Sequence, residues 1–229
     1  LIIETSGLAD PGPVLFSFFT EEALARRYRV ERVITVIAAV HGIRALETEP
    51  EAAAQAAAAD IIYLSKTDMV ETIVAAAVRD AINGVNPGVP TLDRPGTVWN
   101  AAPANIHDAT SVARSHGHDH AEHGIGVETV VLDFDKPVSW EAIAKWVAWL
   151  KENGKDLLRA KGIVRVEGRS RPLLVQIVQG IAYSPVFLDH DLAAGDGYRL
   201  VLIYRSVRKD LVSETRKFIG GVSRPAGRH

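Results

Sequence analysis

The sequence predicts an α/β chain in which a parallel sheet with flanking helices is followed by a smaller α+β unit with a mostly antiparallel sheet. Three observations carry that expectation. Leu1-Ile2-Ile3 and the runs at 33–37 and 61–64 are short and apolar or β-branched, and each ends in a polar or glycine-containing break. Strands of that kind separated by helix-forming sequence belong to a parallel sheet covered on its faces. Beyond residue 126 the strand-like runs outnumber the helical ones, the pattern of an antiparallel sheet with helices packed on it.

Taken in order, residues 1–3 read as a buried strand that breaks at Glu4 and feeds a loop marked by Gly7, Pro11, Gly12 and Pro13. Glu4 is thereby expected at the strand's carboxyl end. Residues 43–59, rich in Ala, Glu and Gln, are good helix formers despite Pro50. Another helix is expected over 70–82. Asn86, Pro87, Gly88, Pro90, Pro95, Gly96 and Pro103 then mark turns, closing a first domain near residue 112. Residues 113–126 have no apolar face to bury and read as a linker. The second domain, 127–229, opens with a strand over 127–134. A helix from Trp140 to Leu150 then places Ile143, Trp146, Val147 and Leu150 at helical spacing. Strands are expected over 162–167, 172–179 and 198–204, and a closing helix over 210–219.

Twenty-six basic and twenty-eight acidic residues give a net charge of −2, so no global field draws the chain to nucleic acid or an anionic membrane. The longest uncharged apolar stretch, 173–188, is too short and too polar for a membrane span and reads as strands and a turn. There is no cysteine, which excludes disulfides and thiolate metal ligands and suits a reducing, cytoplasmic setting. The chain opens on Leu1 with no signal pattern and reads as cut at the front.

Two strand-end motifs carry chemistry. In Glu4-Thr5-Ser6-Gly7, a carboxylate leaving a strand beside a phosphate site can hold Mg2+ through a coordinated water. A glycine three residues on lets the backbone approach and sense a terminal phosphate. Alone, the pair reads equally as a cap and a turn glycine. In Ser65-Lys66-Thr67-Asp68, Asp68 can accept from both N1–H and the exocyclic amine of guanine, which adenine does not offer, while the Lys66 stem lies along the base. Alone, that pair also reads as a lysine and a helix-capping aspartate. Two such motifs on one sheet can converge on one ligand, because ligands of parallel sheets bind beyond the strands' carboxyl ends.

Together, Glu4-Thr5-Ser6-Gly7-Leu8-Ala9-Asp10-Pro11 and the run from Gln55 to Asp68 resemble the switch-and-magnesium and guanine-specificity segments of CobW-like metallochaperone GTPases. Leu157-Leu158-Arg159-Ala160-Lys161-Gly162-Ile163 and Leu174-Val175-Gln176 resemble that family's C-terminal domain. The resemblance implies the remnant of a P-loop GTPase sheet, a CobW-type C-terminal domain, and GTP binding or hydrolysis coupled to delivery of zinc or cobalt to a client metalloprotein. It assigns Glu4 and Gly7 to magnesium and the γ-phosphate of GTP, and Ser65, Lys66, Thr67 and Asp68 to the base. The family's Gly-rich Lys-Ser/Thr loop and Cys-x-Cys-Cys motif do not occur, so this chain alone is expected to hydrolyse GTP poorly or not at all. Ser65 stands where asparagine is common, and Ala38-Ala39 where the family often has an aspartate.

His116, His118, His120 and His123 lie in the linker beside Asp119 and Glu122. Imidazoles and carboxylates on a flexible segment suit weak, exchangeable binding of zinc or cobalt. A rival reading makes the chain a non-catalytic metal-buffering or partner-docking module with the GTPase fold as scaffold. A dinucleotide oxidoreductase is disfavoured, since Gly7 to Gly12 is not Gly-x-Gly-x-x-Gly. His41 reads as a helix-start or packing residue and is given no role, the tryptophans read as core and interface anchors, and Arg159, Lys161, Arg165, Arg169 and Arg171 as solvated strand ends.

Overall fold

The computed structural model describes residues 1–94, 96–97, 126–189, 198–208 and 210–223. Two sheets organise them. In the first, β1 (Ile34–Ala38), β2 (Ile61–Ser65) and β3 (Thr91–Leu92) lie parallel in that order, with Ile34 opposite Ile61 and Ala38 opposite Ser65. Both long strands therefore end at one rim. The helices of this part are α1 (Pro11–Thr20), α2 (Glu22–Ala25), α3 (Gly42–Thr48), α4 (Pro50–Ala58) and α5 (Thr72–Val85).

The expected strand at residues 1–3 does not form. Leu1, Ile2 and Ile3 are 89%, 74% and 51% exposed, and no strand among the described residues pairs with them. An apolar run becomes a strand only where a neighbour supplies ladder hydrogen bonds. Proline accounts for two further differences. Pro11 and Pro13 do not prolong the loop but open α1, with Asp10 as its N-cap accepting from Gly12 N–H at 2.9 Å. The first helical turn has no intrahelical use for the N–H that proline lacks. Pro50 likewise starts α4, so the helix expected over 43–59 is two helices meeting at Glu49.

The second sheet has seven strands: β4 (Val127–Phe134), β5 (Leu157–Val164), β6 (Leu173–Val178), β7 (Ile181–Ala182), β8 (Val186–Phe187), β9 (Tyr198–Arg205) and β10 (Val222–Ser223). Its order is β10-β4-β9-β5-β6-β7, with β8 also on β6, and its pairings are antiparallel. Strand β5 starts five residues earlier than the expected 162, because Leu157 and Leu158 bury on opposite faces. One face is covered by α6 (Trp140–Asn153) and α7 (Asp210–Ile219), whose Trp146, Leu150 and Leu211 meet Leu132, Leu157 and Leu200. Trp146 is fully buried, and its Nε1–H donates to Thr215 Oγ1 at 3.0 Å, the partner a buried indole needs.

The other face packs on the helices of the parallel sheet. Ala53, Ala54, Ala57, Val78 and Ile82 share one apolar cluster with Val127, Leu158, Val201 and Ile203. Alanines along α4 allow this close approach. The carbonyls at the helix's end and just past it are met by the buried Asn86 amide, which donates to Ala56, Ala57 and Ala59 O at 2.9, 3.3 and 3.0 Å.

Arg159 corrects the expectation of a solvated basic strand end. Its side chain is 3% exposed, with Nη1 donating to Ala58 O at 2.6 Å and Nη2 to Asp60 Oδ1 at 2.5 Å. Nearby, the Tyr183 hydroxyl is buried, and its ring packs edge-on against Phe19. Burial, reinforced by the Asp60 carboxylate and opposed by Arg159, pushes the Tyr183 phenol from 10.0 to about 12. Burial and a hydrogen bond to Glu128 push Tyr204 up further. The neutral phenol is the form the fold favours. Tyr183's contribution to stability is therefore complete below pH ~10 and disappears as pH rises through about 12. Tyrosinate absorbance during an alkaline titration should show a late step that Tyr183→Phe removes; ionisation of Tyr183 together with exposed tyrosines would contradict its environment.

Candidate nucleotide site

The rim where β1 and β2 end is tied across by Ala39 N–H to Ser65 O at 2.9 Å and by Ser65 Oγ–H to Ile37 O at 3.3 Å. Immediately beyond it, Lys66 has φ 56° and ψ 33°. Left-handed backbone at a residue with a long side chain costs of order 1 kcal/mol and persists only where the surroundings require it. Here it turns the chain from β2 into a short 3₁₀ turn, Thr67–Met69, closed by Met69 N–H on Lys66 O. Lys66 and Asp68 are exposed, and among the described residues their side chains have no hydrogen-bond or ion-pair partner. An open cleft of about 320 Å³ lies beside this rim, lined by Ala39, Val40, His41, Ile43, Arg44, Glu47 and Val74. None of the predicted site residues lines it. His41 is the N-cap of α3, which selects the helix-start reading from the two the sequence leaves open, although its side chain makes no capping hydrogen bond.

The Glu4-to-Asp10 loop is attached to the same β1-α4-β2 unit. Gln55 of α4 donates through Nε2 to Gly7 O at 3.0 Å and to Ala9 O at 2.8 Å. The backbone carbonyl of Gln55 accepts from Thr35 Oγ of β1 at 2.8 Å. Within the loop, Ala9 N–H bonds to Ser6 O at 3.0 Å. A Cβ placed on Gly7 would meet nothing within 4 Å, so this glycine faces open space rather than a close-packed neighbour. Glu4 is exposed and, among the described residues, unpartnered.

The loop's far end meets the antiparallel sheet. Asp10 Oδ2 accepts from Arg205 Nη2 at 2.9 Å, and Oδ1 accepts from Gln179 Nε2 at 3.5 Å. Gln179 has φ 52° in the β6-β7 turn, and its side chain fills the space a Cβ on Gly12 would need. Gln55, Arg205 and Gln179 carry no functional reading in the sequence. Gln55 is recognisable there only as the start of a resembling segment, and partners 46 to 195 residues apart have no local signature.

Among the described residues, no group of three or more His, Asp or Glu is placed to hold a metal ion. His116, His118, His120 and His123 lie outside the described residues. No helix among the described residues is long and apolar enough to cross a membrane.

The pattern of the CobW/HypB/UreG nucleotide-binding domain matches residues 1–93, and that of the cobalamin synthesis protein cobW C-terminal domain matches residues 127–215. The chain belongs to the CobW family. Members similar to it are the zinc chaperone YjiA of Escherichia coli, 30% identical over 86% of this chain and 62% of its own length, and the zinc chaperone CobW of a Sinorhizobium species, 30% identical over 89% and 66%. The zinc-regulated GTPase metalloprotein activator 1 of Schizosaccharomyces pombe is 24% identical over 71% and 49%. The chain thus spans less than two thirds of the length of these relatives. The crystal structure of Zn(II)-bound E. coli YjiA GTPase superposes with a TM-score of 0.67 at 22% identity, covering 93% of this chain and 68% of that one. A Zn(II)-bound triple mutant of the same GTPase gives 0.67 at 23% over the same shares. These likenesses establish the mixed α/β fold with its parallel sheet and C-terminal antiparallel sheet.

Proposed function

We propose that this CobW-family protein is a GTP-dependent metal chaperone that binds and hydrolyses GTP to deliver a transition metal, zinc or cobalt, to a client metalloprotein. The observation that carries the reading is the Gln55 clamp. It ties the Glu4-to-Gly7 loop to the helix that runs directly into β2, so the phosphate-sensing and base-reading motifs share one rigid support. The names of the relatives, two zinc chaperones and a zinc-regulated GTPase activator, support the metal as cargo. In this reading Asp68 accepts the two guanine donors, Lys66 covers the base, and Ser65 and Thr67 border it. Gly7 N–H bonds the terminal phosphate. Glu4 fits magnesium through its unpaired oxygens, and the ion, when bound, neutralises phosphate charge. The His116–His123 tract is proposed as the exchangeable holding site for the metal, with zinc matching imidazole and carboxylate donors.

The test is isothermal titration of the full-length gene product with GTP, ATP and magnesium. The wild type should bind GTP and reject ATP. Asp68→Asn should lose GTP affinity by about 100-fold, since the amide keeps one acceptor but turns N–H donors toward the exocyclic amine and removes the charge that strengthens both bonds. It should regain binding with xanthosine triphosphate, whose 2-carbonyl accepts from the new amide. Equal binding of ATP and GTP by the wild type would overturn the guanine assignment.

A further inference from the structure

We infer that Gln55 is a positioning residue of the nucleotide switch, orienting the Gly7 amide for the terminal phosphate without touching the nucleotide. The inference rests on the proposed GTP site and adds the group that presets its phosphate-sensing backbone. Three carbonyls of the loop, those of Ser6, Gly7 and Ala9, have their directions accounted for. Ser6 O is held inside the turn by Ala9 N–H at 3.0 Å. In a trans peptide the C=O and N–H of one plane point in opposite directions, so this bond sends the Gly7 N–H outward from the turn.

Gln55 fixes the next two carbonyls. Its two Nε2 hydrogens reach Gly7 O at 3.0 Å and Ala9 O at 2.8 Å, bridging the Gly7–Leu8 and Ala9–Asp10 peptides. A carboxamide suits this task, because one nitrogen carries two donors in a fixed plane. The space in front of Gly7 is open, which leaves its amide accessible to a ligand. Past the clamp the loop has no slack: Asp10 is tied to Arg205 at 2.9 Å and caps α1. The Gly7 segment is therefore held in place by Gln55 on one side and the Asp10 anchor on the other before a terminal phosphate arrives.

GDP lacks the phosphate that Gly7 N–H would meet, so Gln55 should affect GTP and GDP differently. In the full-length protein, Gln55→Glu keeps the shape but turns an acceptor-only group toward two carbonyls, and Gln55→Met removes the donors without charge. Binding of a non-hydrolysable GTP analogue should weaken by about 10-fold in both variants, with GDP affinity unchanged, as expected for two lost hydrogen bonds. Gln55→Glu should recover part of the loss as pH falls and the introduced carboxyl protonates to become a donor. Gln55→Met should show no such pH dependence. A wild-type ratio of GTP to GDP affinity in both variants would overturn the inference. Equal losses for the two nucleotides would also overturn it, because they would mark Gln55 as merely structural. Failure of the wild type to bind GTP would sink the underlying nucleotide reading first, and the inference with it.

Discussion

Arg159→Met should destabilise the folded protein by about 3–5 kcal/mol, the cost of leaving one member of a buried ion pair without its partner. Arg159 lies on β5 of the antiparallel sheet, and its guanidinium reaches the short connection between α4 and β2. There it meets Ala58 O at 2.6 Å and Asp60 Oδ1 at 2.5 Å. The other oxygen, Asp60 Oδ2, accepts from Val33 N–H at 2.9 Å just before β1 begins. One carboxylate thus joins both long parallel strands to the second sheet. Methionine preserves most of the packing volume, so the expected loss comes from stranded polar groups rather than from a cavity. The double variant Arg159→Met, Asp60→Asn should recover part of the loss, since it removes the uncompensated charge as well. Denaturant unfolding of the wild type and the three variants measures the coupling. Additive effects would show that the two side chains do not act as a pair. The alkaline titration supplies an independent check. Arg159 holds the Tyr183 phenol down against burial and Asp60, so its removal should delay Tyr183 ionisation still further.

Arg159 also marks where the sequence becomes hard to read. Periodicity identifies β4 over its full range and the α7 boundaries, because each of those elements has one face that must be buried. In β5 both faces are covered, the alternation vanishes, and a charged residue between Leu158 and Ala160 has no local signature of its burial. Its partner is 99 residues away. The same reason hides Gln55, whose acceptors are backbone carbonyls that every residue possesses. By contrast, the base-reading roles proposed for Lys66 and Asp68 can be put forward from the sequence, because that chemistry requires particular side chains at a particular spacing. The strained Lys66 backbone is not legible, since nothing in the residue type favours φ 56°. The apolar character of residues 1–3 is plain in the sequence, but their expected strand fails because composition specifies burial tendency and not the neighbour that completes a ladder.

Gly162→Ala should cost about 3 kcal/mol or more, at the upper end of overpacking effects, because the obstruction is the backbone of the neighbouring strand rather than a side chain that can swing away. In the pairing of β5 with β9, Gly162 stands opposite Leu200. A Cβ there would lie 2.0 Å from Arg199 O, 2.6 Å from Leu200 Cα and 2.8 Å from Arg199 C. No rotamer relieves such a contact, so two central strands of the sheet would have to separate. Their faces form the packing against α6 and α7 on one side and against α4 and α5 on the other, so the strain would reach both apolar clusters. Gly7 provides the matching control. Its Cβ position is open, its φ is not positive, and the loop is exposed, so Gly7→Ala should change stability by no more than about 0.5 kcal/mol. In the proposed reading, the added methyl instead stands in the path of a phosphate approaching the Gly7 amide and should weaken GTP binding. Thermal unfolding and GTP titration of the two variants separate these roles: Gly162 is required by the fold, Gly7 by the ligand. A large loss of stability from Gly7→Ala, or none from Gly162→Ala, would reverse that assignment.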